Sequence, residues 1–160
     1  LYGKPIRVGY AFKRIGEKGH SGMSQHYAGM AFDIAQGMPK AERDKIRNLA
    51  IKNKMFTYVE PANLTPTWVH VDKRDTRPAC ASGGYPLVRE GSKGVYVAVL
   101  QDALNTLGYN AGNIDGIFGR NTKNAVLRYQ RANKLAADGI VGCNTWRSIT
   151  QRIANSRNLY

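Results

Sequence analysis

The chain is poor in several things, and each shortage closes off a class of protein. Its 160 residues include two cysteines, Cys80 and Cys143, too few for a disulfide scaffold; they form either one long-range bridge or two free thiols. A bridge would imply an oxidising compartment. Long apolar runs are missing: the longest, Val95 to Leu100, spans six residues, against the roughly 18 or more that a membrane-spanning helix needs. The opening Leu1-Tyr2-Gly3-Lys4 lacks the charged-then-apolar layout of a secretory signal, so an exported protein would present here its mature form or a fragment. Acidic residues are scarce, 11 against 24 Lys+Arg, for a formal charge of +13. Histidine is rarer still: His20, His26 and His70 are the full set. What is present is an ordinary apolar content, 42% hydrophobic and 9% aromatic, far above that of a disordered basic tail. Such a chain folds.

The positive charge is spread evenly. Residues 1–84 hold 14 basic and 7 acidic side chains, and residues 85–160 hold 10 and 4, so both halves favour an anionic surface. Nucleic-acid binding asks in addition for clustered basic residues with aromatic platforms, or for a groove-reading helix; neither pattern is visible, and nucleic acid is not an expected partner. Between Asp72 and Leu87 the chain is rich in turn formers, including Pro78, Ser82, Gly83, Gly84 and Pro86, and has no helical or strand period. This reading gives a first domain over 1–76, a linker over 77–86 and a second domain over 87–160. Pieces of about 80 residues have marginal apolar cores, so each would gain from a metal or a disulfide.

The second piece contains an internal echo. Asp115-Gly-Ile-Phe-Gly-Arg-Asn-Thr122 returns 23 residues later as Asp138-Gly-Ile-Val-Gly-Cys-Asn-Thr145, with six of eight positions matched. Each copy pairs glycines suited to unusual backbone angles with an Asn-Thr expected to cap the helix that follows. Ala125, Val126 and Tyr129 after the first copy, and Trp146, Ile149 and Ile153 after the second, fall at helical spacing. Val95, Val99, Leu100, Ala103, Leu104 and Leu107 mark an earlier helix ended by Gly108. Three helices joined by turns predict a compact bundle. The string from Leu87 through Gly94, Val99-Leu100-Gln101, Leu107-Gly108-Tyr109, Asp115-Gly116, Phe118-Gly119, Tyr129-Gln130 and Asp138 to Trp146 resembles the three-helix peptidoglycan-binding module of bacterial wall hydrolases. That resemblance implies a role in holding an attached catalytic domain on the cell wall.

In the first piece His26 precedes a short strand pattern in which Met30 and Phe32 alternate with Ala31 and Asp33, a geometry able to bring the Asp33 carboxylate near the His26 ring. Thr67-Trp-Val-His70-Val-Asp72 is also strand-like, with Val69 and Val71 on one face and Trp68, His70 and Asp72 on the other. Two imidazoles and a carboxylate suit catalytic zinc, which takes three protein ligands and leaves a position for water. Hydrogen-bonded surface or core histidines are the alternative reading of the spacing alone. Pro39 to Met55 reads as a helix with an apolar stripe of Ala41, Ile46, Leu49 and Ala50.

Ser24, His26, Gly29, Ala31 and Asp33, followed by Trp68-Val69-His70-Val71-Asp72, resemble the zinc D-alanyl-D-alanine carboxypeptidases and their endopeptidase relatives, which cut peptidoglycan peptides. The resemblance covers residues 5–75 and implies Zn2+ held by His26, Asp33 and His70. Members usually carry a catalytic carboxylate or a second His two or three residues before the last ligand, where this chain has Trp68 and Thr67. The base must then come from elsewhere, with Glu60 and Asp72 the nearest acidic residues; Asp72 serves equally as a group orienting a ligand. Relatives also carry Ser-Gly-Tyr-Arg upstream, where this chain reads Val8-Gly9-Tyr10-Ala11, so Lys13 or Arg14 would replace the missing guanidinium in holding substrate. Relatives often begin further upstream, which leaves open a missing N-terminal segment or a reduced catalytic domain.

The expected protein is an α+β zinc peptidase domain with a small antiparallel sheet, followed by an all-α three-helix bundle. It acts on stem or cross-bridge peptides outside the cell or at the wall, as a host autolysin or a phage lysin. Its expected partners are peptidoglycan and anionic wall polymers, and it is expected to be a monomer with no membrane span. The alternative is a non-catalytic wall-binding protein with a degenerate zinc site.

Overall fold

The computed structural model describes residues 2–6, 8–10, 23–26, 28–74, 76–81 and 84–157. These fall into two compact units, one drawn from residues 1–13 and 25–75 and the other from 14–24 and 76–160. Among the described residues no helix is long and apolar enough to cross a membrane.

The first unit is a four-stranded antiparallel sheet with one helix. Strands β1 (Val8–Tyr10), β2 (Ala31–Ile34), β3 (Tyr58–Val59) and β4 (Val69–Asp72) lie in the order β1-β2-β4-β3. Helix α1 (Lys40–Lys52) connects β2 to β3. Side chains alternate across a strand, and here the alternation divides apolar from polar. Val69 and Val71 of β4 are fully buried in a cluster with Ala35, Ile46 and Ala50, against which Phe32, Ile34, Phe56 and Val59 pack. The intervening residues Asp33, His70 and Asp72 therefore share the opposite face.

The helix runs shorter than the span from Pro39 to Met55. Pro39 occupies the N-cap position and Asn53 the C-cap. Its buried residues are Ile46, Arg47 and Ala50, while Ala41 is exposed and Leu49 half-buried. The stripe read from apolar residues alone is thus rotated onto a face that includes a cation.

The second unit packs three helices, α2 (Val95–Thr106), α3 (Arg120–Ala132) and α4 (Cys143–Arg157). Leu100, Leu104, Ala125, Val126, Tyr129, Trp146 and Ile149 are fully buried, which matches the helical spacing of the sequence. Val95, expected in that set, is 37% exposed because it opens the helix beside Gly94. The sequence echo becomes a duplicated hydrogen-bond network. Gln101 Nε2 donates to Asp115 Oδ1 (2.9 Å), Ile117 O (3.1 Å) and Thr122 Oγ1 (3.1 Å), and its Oε1 accepts from Gly116 N (2.9 Å). Gln130 repeats this with Asp138 Oδ1 (2.9 Å), Ile140 O (3.0 Å), Thr145 Oγ1 (3.3 Å) and Gly139 N (2.9 Å). Gly116 and Gly139 have φ of +70° and +73°, where side chains bearing a Cβ are strained; a Cβ on Gly116 would also come within 3.2 Å of Gly94 O.

Two expectations are corrected here. Asn121-Thr122 and Asn144-Thr145 do not cap helices: Gly119 holds the α3 cap in extended geometry, and α4 begins at Cys143. The threonines sit inside the first turn, buried, as acceptors for the two glutamines. Nor is 77–86 a free linker. Pro78 bridges to Pro86, Ala79 N donates to Tyr85 O (2.8 Å), and Pro86 O accepts from Trp146 Nε1 (2.8 Å). The fully buried Tyr85 ring meets Trp146 edge-on at 4.9 Å. Burial of Tyr85 thus anchors residues 84–86, whose composition suggests a linker, against α4.

Cys80 and Cys143 are joined, closing a separation of 63 residues. A loop of that length restricts the unfolded chain by about 4 kcal/mol in the chain-entropy model. The Cys80→Ser/Cys143→Ser double variant should lose about that much stability in denaturant unfolding of the second unit; an unchanged midpoint would contradict the bridge.

Candidate metal centre

Three residues from separate segments converge on the polar face of the sheet. A turn places His26: Gly29 N donates to His26 O (3.2 Å), Met30 N donates to Gln25 O (3.0 Å), and Gly29 has φ +67°. Strand pairing places the other two, since Asp33 of β2 stands directly opposite His70 of β4, with Cβ atoms of such pairs about 5 Å apart. His26 Nε2 lies 3.2 Å from Asp33 Oδ1, and His70 Nδ1 lies 2.8 Å from the same oxygen. The two imidazole rings meet edge-on at 5.1 Å. One ligand atom from each of His26, Asp33 and His70 lies within 4.8 Å of the other two. His26 and Asp33 are 1% and 3% exposed, so the cluster is shielded from competing water.

A second layer holds His70 in place. Its Nε2 faces Asp72 Oδ2 at 3.3 Å, on the side of the ring away from Asp33. Asp72 is fully buried and is gripped by Arg74, whose Nε donates to both carboxylate oxygens at 2.8 and 2.9 Å and whose backbone N donates to Oδ1 at 3.1 Å. Arg74 in turn lies over the Tyr58 ring at 4.0 Å, a cation–π contact.

The two acidic candidates for proton transfer therefore differ in position. Asp72 has both oxygens engaged and meets the imidazole from behind. Glu60 follows β3, and its N donates to His70 O at 2.9 Å; continuing the β3–β4 register, Tyr58↔Asp72 and Val59↔Val71, sets Glu60 opposite His70. Asp33, His70 and Glu60 thus form a row across three strands. Thr67 is exposed and Trp68 half-buried. Lys13 and Arg14, expected at the substrate, lie outside the described residues, as does His20.

Sequence reasoning missed Arg47. This 6%-exposed side chain of α1 donates from Nε to Glu60 O (3.0 Å) and from Nη2 to Thr65 O (3.0 Å), Thr65 Oγ1 (3.2 Å) and Trp68 O (2.9 Å). It ties down the loop from Glu60 to Trp68. A cation one position from Ile46 on the buried helix face was the available signal, because a buried guanidinium must be paired. Arg74 was missed too; its signal was proximity to Asp72 in sequence.

Burial opposes ionisation of all three acid–base partners, and hydrogen bonding overrides it. Asp33 is pushed up by burial, but hydrogen bonds from His26 and His70 hold it well below the usual carboxylate range. Burial lowers His70, yet its bonds to Asp33 and Asp72 raise it from 6.5 to about 9. Asp72, raised by burial, is brought from 3.8 to about 2 by His70 and Arg74. Without metal, His70 carries a proton at neutral pH. A raised folded-state pKa contributes stability that is complete below the unfolded value and lost as pH climbs through the folded one; depressed carboxylates act in the reverse sense. The metal-free first unit should therefore be most stable between about pH 4.5 and 6.5 and weaken towards pH 9. Thermal unfolding in chelator across that range measures it, and a flat profile above pH 6.5 would contradict the His70 assignment.

Residues 93–149 match the family described as "Putative peptidoglycan binding domain", and a peptidoglycan-binding domain is present in this chain. The chain is 53% identical over 53 residues to the N-acetylmuramoyl-L-alanine amidase CwlM of Mycobacterium tuberculosis, covering 33% of this chain and 13% of the amidase. It is 40% identical over 76 residues to an uncharacterized protein in the bpoA1 3' region of Kitasatospora aureofaciens, covering 44% of this chain and 64% of that protein. It thus spans less than two thirds of the length of either relative. A solved peptidoglycan-binding protein from Clostridioides difficile, in complex with glutamine hydroxamate, is 38% identical with a TM-score of 0.42, covering 44% of each chain.

Proposed function

We propose that this chain, whose second unit carries a peptidoglycan-binding domain, is a zinc-dependent peptidase of peptidoglycan peptides that works at the cell wall. The observation that carries the reading is the buried convergence of His26, Asp33 and His70, with ligand atoms within 4.8 Å. Two imidazoles and one carboxylate fit the three-ligand set of catalytic zinc. His26 would bind through Nε2 and His70 through Nδ1, the nitrogens that face Asp33 Oδ1.

Zinc held by these three residues would supply a water acidic near neutral pH and a Lewis acid for the scissile carbonyl. The rest of the task belongs to the protein. Asp72 accepts from His70 Nε2–H, which fixes the tautomer that leaves Nδ1 free to coordinate. Arg74 keeps Asp72 ionised, and Arg47 keeps the Glu60 loop in register with β4. Glu60, paired with His70 across the β3–β4 edge, is the carboxylate that would accept a proton from a water at the site and pass it to the amine nitrogen that leaves. The net charge of +13 concentrates the protein on anionic wall polymers, with binding weakened by salt.

His26→Ala and His70→Ala should abolish both zinc retention and release of new amino termini from purified peptidoglycan. Wild-type hydrolysis in either variant would remove the site. Glu60→Gln should retain zinc while kcat falls by about 10²–10⁴. Replacement of the usual acid by Thr67 and Trp68 favours a second reading, a wall-binding protein that keeps zinc without hydrolysis. Stoichiometric zinc in a wild-type protein that releases no fragments from peptidoglycan would select it.

A further inference from the structure

The second unit has an open groove of about 750 Å³ along the outer side of α4, of mixed polar and apolar surface, bounded by Leu107 after α2 and Asn133 at the end of α3. We infer that this groove holds the peptide stem of peptidoglycan, gripping its free carboxylate with Arg152. The inference rests on the reading that this unit grips peptidoglycan, and it names the component gripped.

The groove is built on a rigid support. Asn144, Ser148, Gln151 and Arg152 recur along one side of α4, while Trp146, Ile149 and Ile153 on its other side are 0–2% exposed in the core. The lining side chains therefore sit on a helix that does not have to order on binding. The groove is open along its length, which suits an extended chain better than an enclosed small ligand.

The lining chemistry selects among wall components. It contains amides, a hydroxyl and guanidinium groups, with no carboxylate and no lysine. A phosphodiester group offers acceptors alone, so the acceptor half of each amide would go unused against it. A peptide offers alternating N–H and C=O groups, which primary amides match at both ends. Its terminal carboxylate matches the planar fork of arginine. Asn133 fixes the wall of the groove at the end of α3: Nδ2 donates to Tyr129 O at 2.8 Å and to Tyr109 Oη at 3.4 Å. Its Oδ1 is buried with no hydrogen-bond partner among the described residues. A flip would set this oxygen against the Tyr129 carbonyl, so the amide keeps one orientation at the inner end of the groove. Ser148 Oγ is held at 2.7 Å by Tyr129 Oη.

The test uses the full chain in chelator, so that nothing is cut. Sedimentation with sacculi stripped of anionic polymers is followed by calorimetric titration with a synthetic stem tetrapeptide ending in D-alanine, and with the same peptide amidated at its C-terminus. The wild type should bind the acid form, and Arg152→Gln, at an exposed position, should weaken that binding about tenfold with an unchanged thermal midpoint. The amidated peptide should bind both proteins equally weakly. Asn144→Ala/Gln151→Ala should weaken both forms of the peptide. Equal affinity of wild type and Arg152→Gln for the acid form, while both still sediment with stripped sacculi, would overturn the groove alone. Failure of the wild type to sediment unless the anionic polymers are left in place would overturn the groove together with the reading beneath it.

Discussion

The register between β2 and β4 is the constraint on which the first unit depends. Asp33 faces His70 only because Ala31 pairs with Asp72 and Ile34 with Val69. A slip of one residue would turn His70 into the apolar cluster and bring Val69 and Val71 out to the polar face. The same Val69 and Val71 that fill the core against Ile46 and Ala50 therefore hold the site together. Hydrophobic burial sets the pairing, and the pairing sets the chemistry. His26 alone arrives from outside the sheet, which is why its turn needs Gly29 in a left-handed conformation.

The second unit solves its problem by repetition. Each tight turn between helices leaves backbone donors and acceptors in the interior, and one buried glutamine satisfies a whole turn at a time: Gln101 for residues 115–122 and Gln130 for residues 138–145. Buried polar groups are costly unless paired, so these amides behave as internal braces. Their placement explains why Asp, Gly and Thr recur together in the sequence: each supplies one end of a bond to the same side chain.

The helical core of the second unit was legible because periodicity and burial report the same thing. Ala125, Val126, Tyr129, Trp146 and Ile149 needed no knowledge of distant partners. The convergence of His26, Asp33 and His70 was legible for a different reason, in that a local pattern of residues resembled a known arrangement. What escaped were roles set by long-range partners. Arg47 reads as a surface cation until the loop from Glu60 to Trp68 is seen folded over it. Thr122 and Thr145 read as caps because nothing local says that a glutamine amide will reach them. The stretch around Tyr85 reads as a tether because its turn formers are conspicuous and the pocket beside Trp146 is not. Asp72 and Glu60 were equivalent on paper; only register and hydrogen bonding set one behind the imidazole and the other alongside it.

The Cys80–Cys143 bond also has a mechanical consequence. Residue 80 lies a few residues after the last crossing from the first unit into the second, at residues 75–76, and residue 143 begins α4. Tension arriving along the backbone from the first unit passes through the sulfur atoms into α4. The hydrogen bonds and turns between residues 81 and 142 stay outside the path of the load. Load entering α4 through the disulfide would thus bypass the turn braced by Gln101, which lies wholly between the two cysteines.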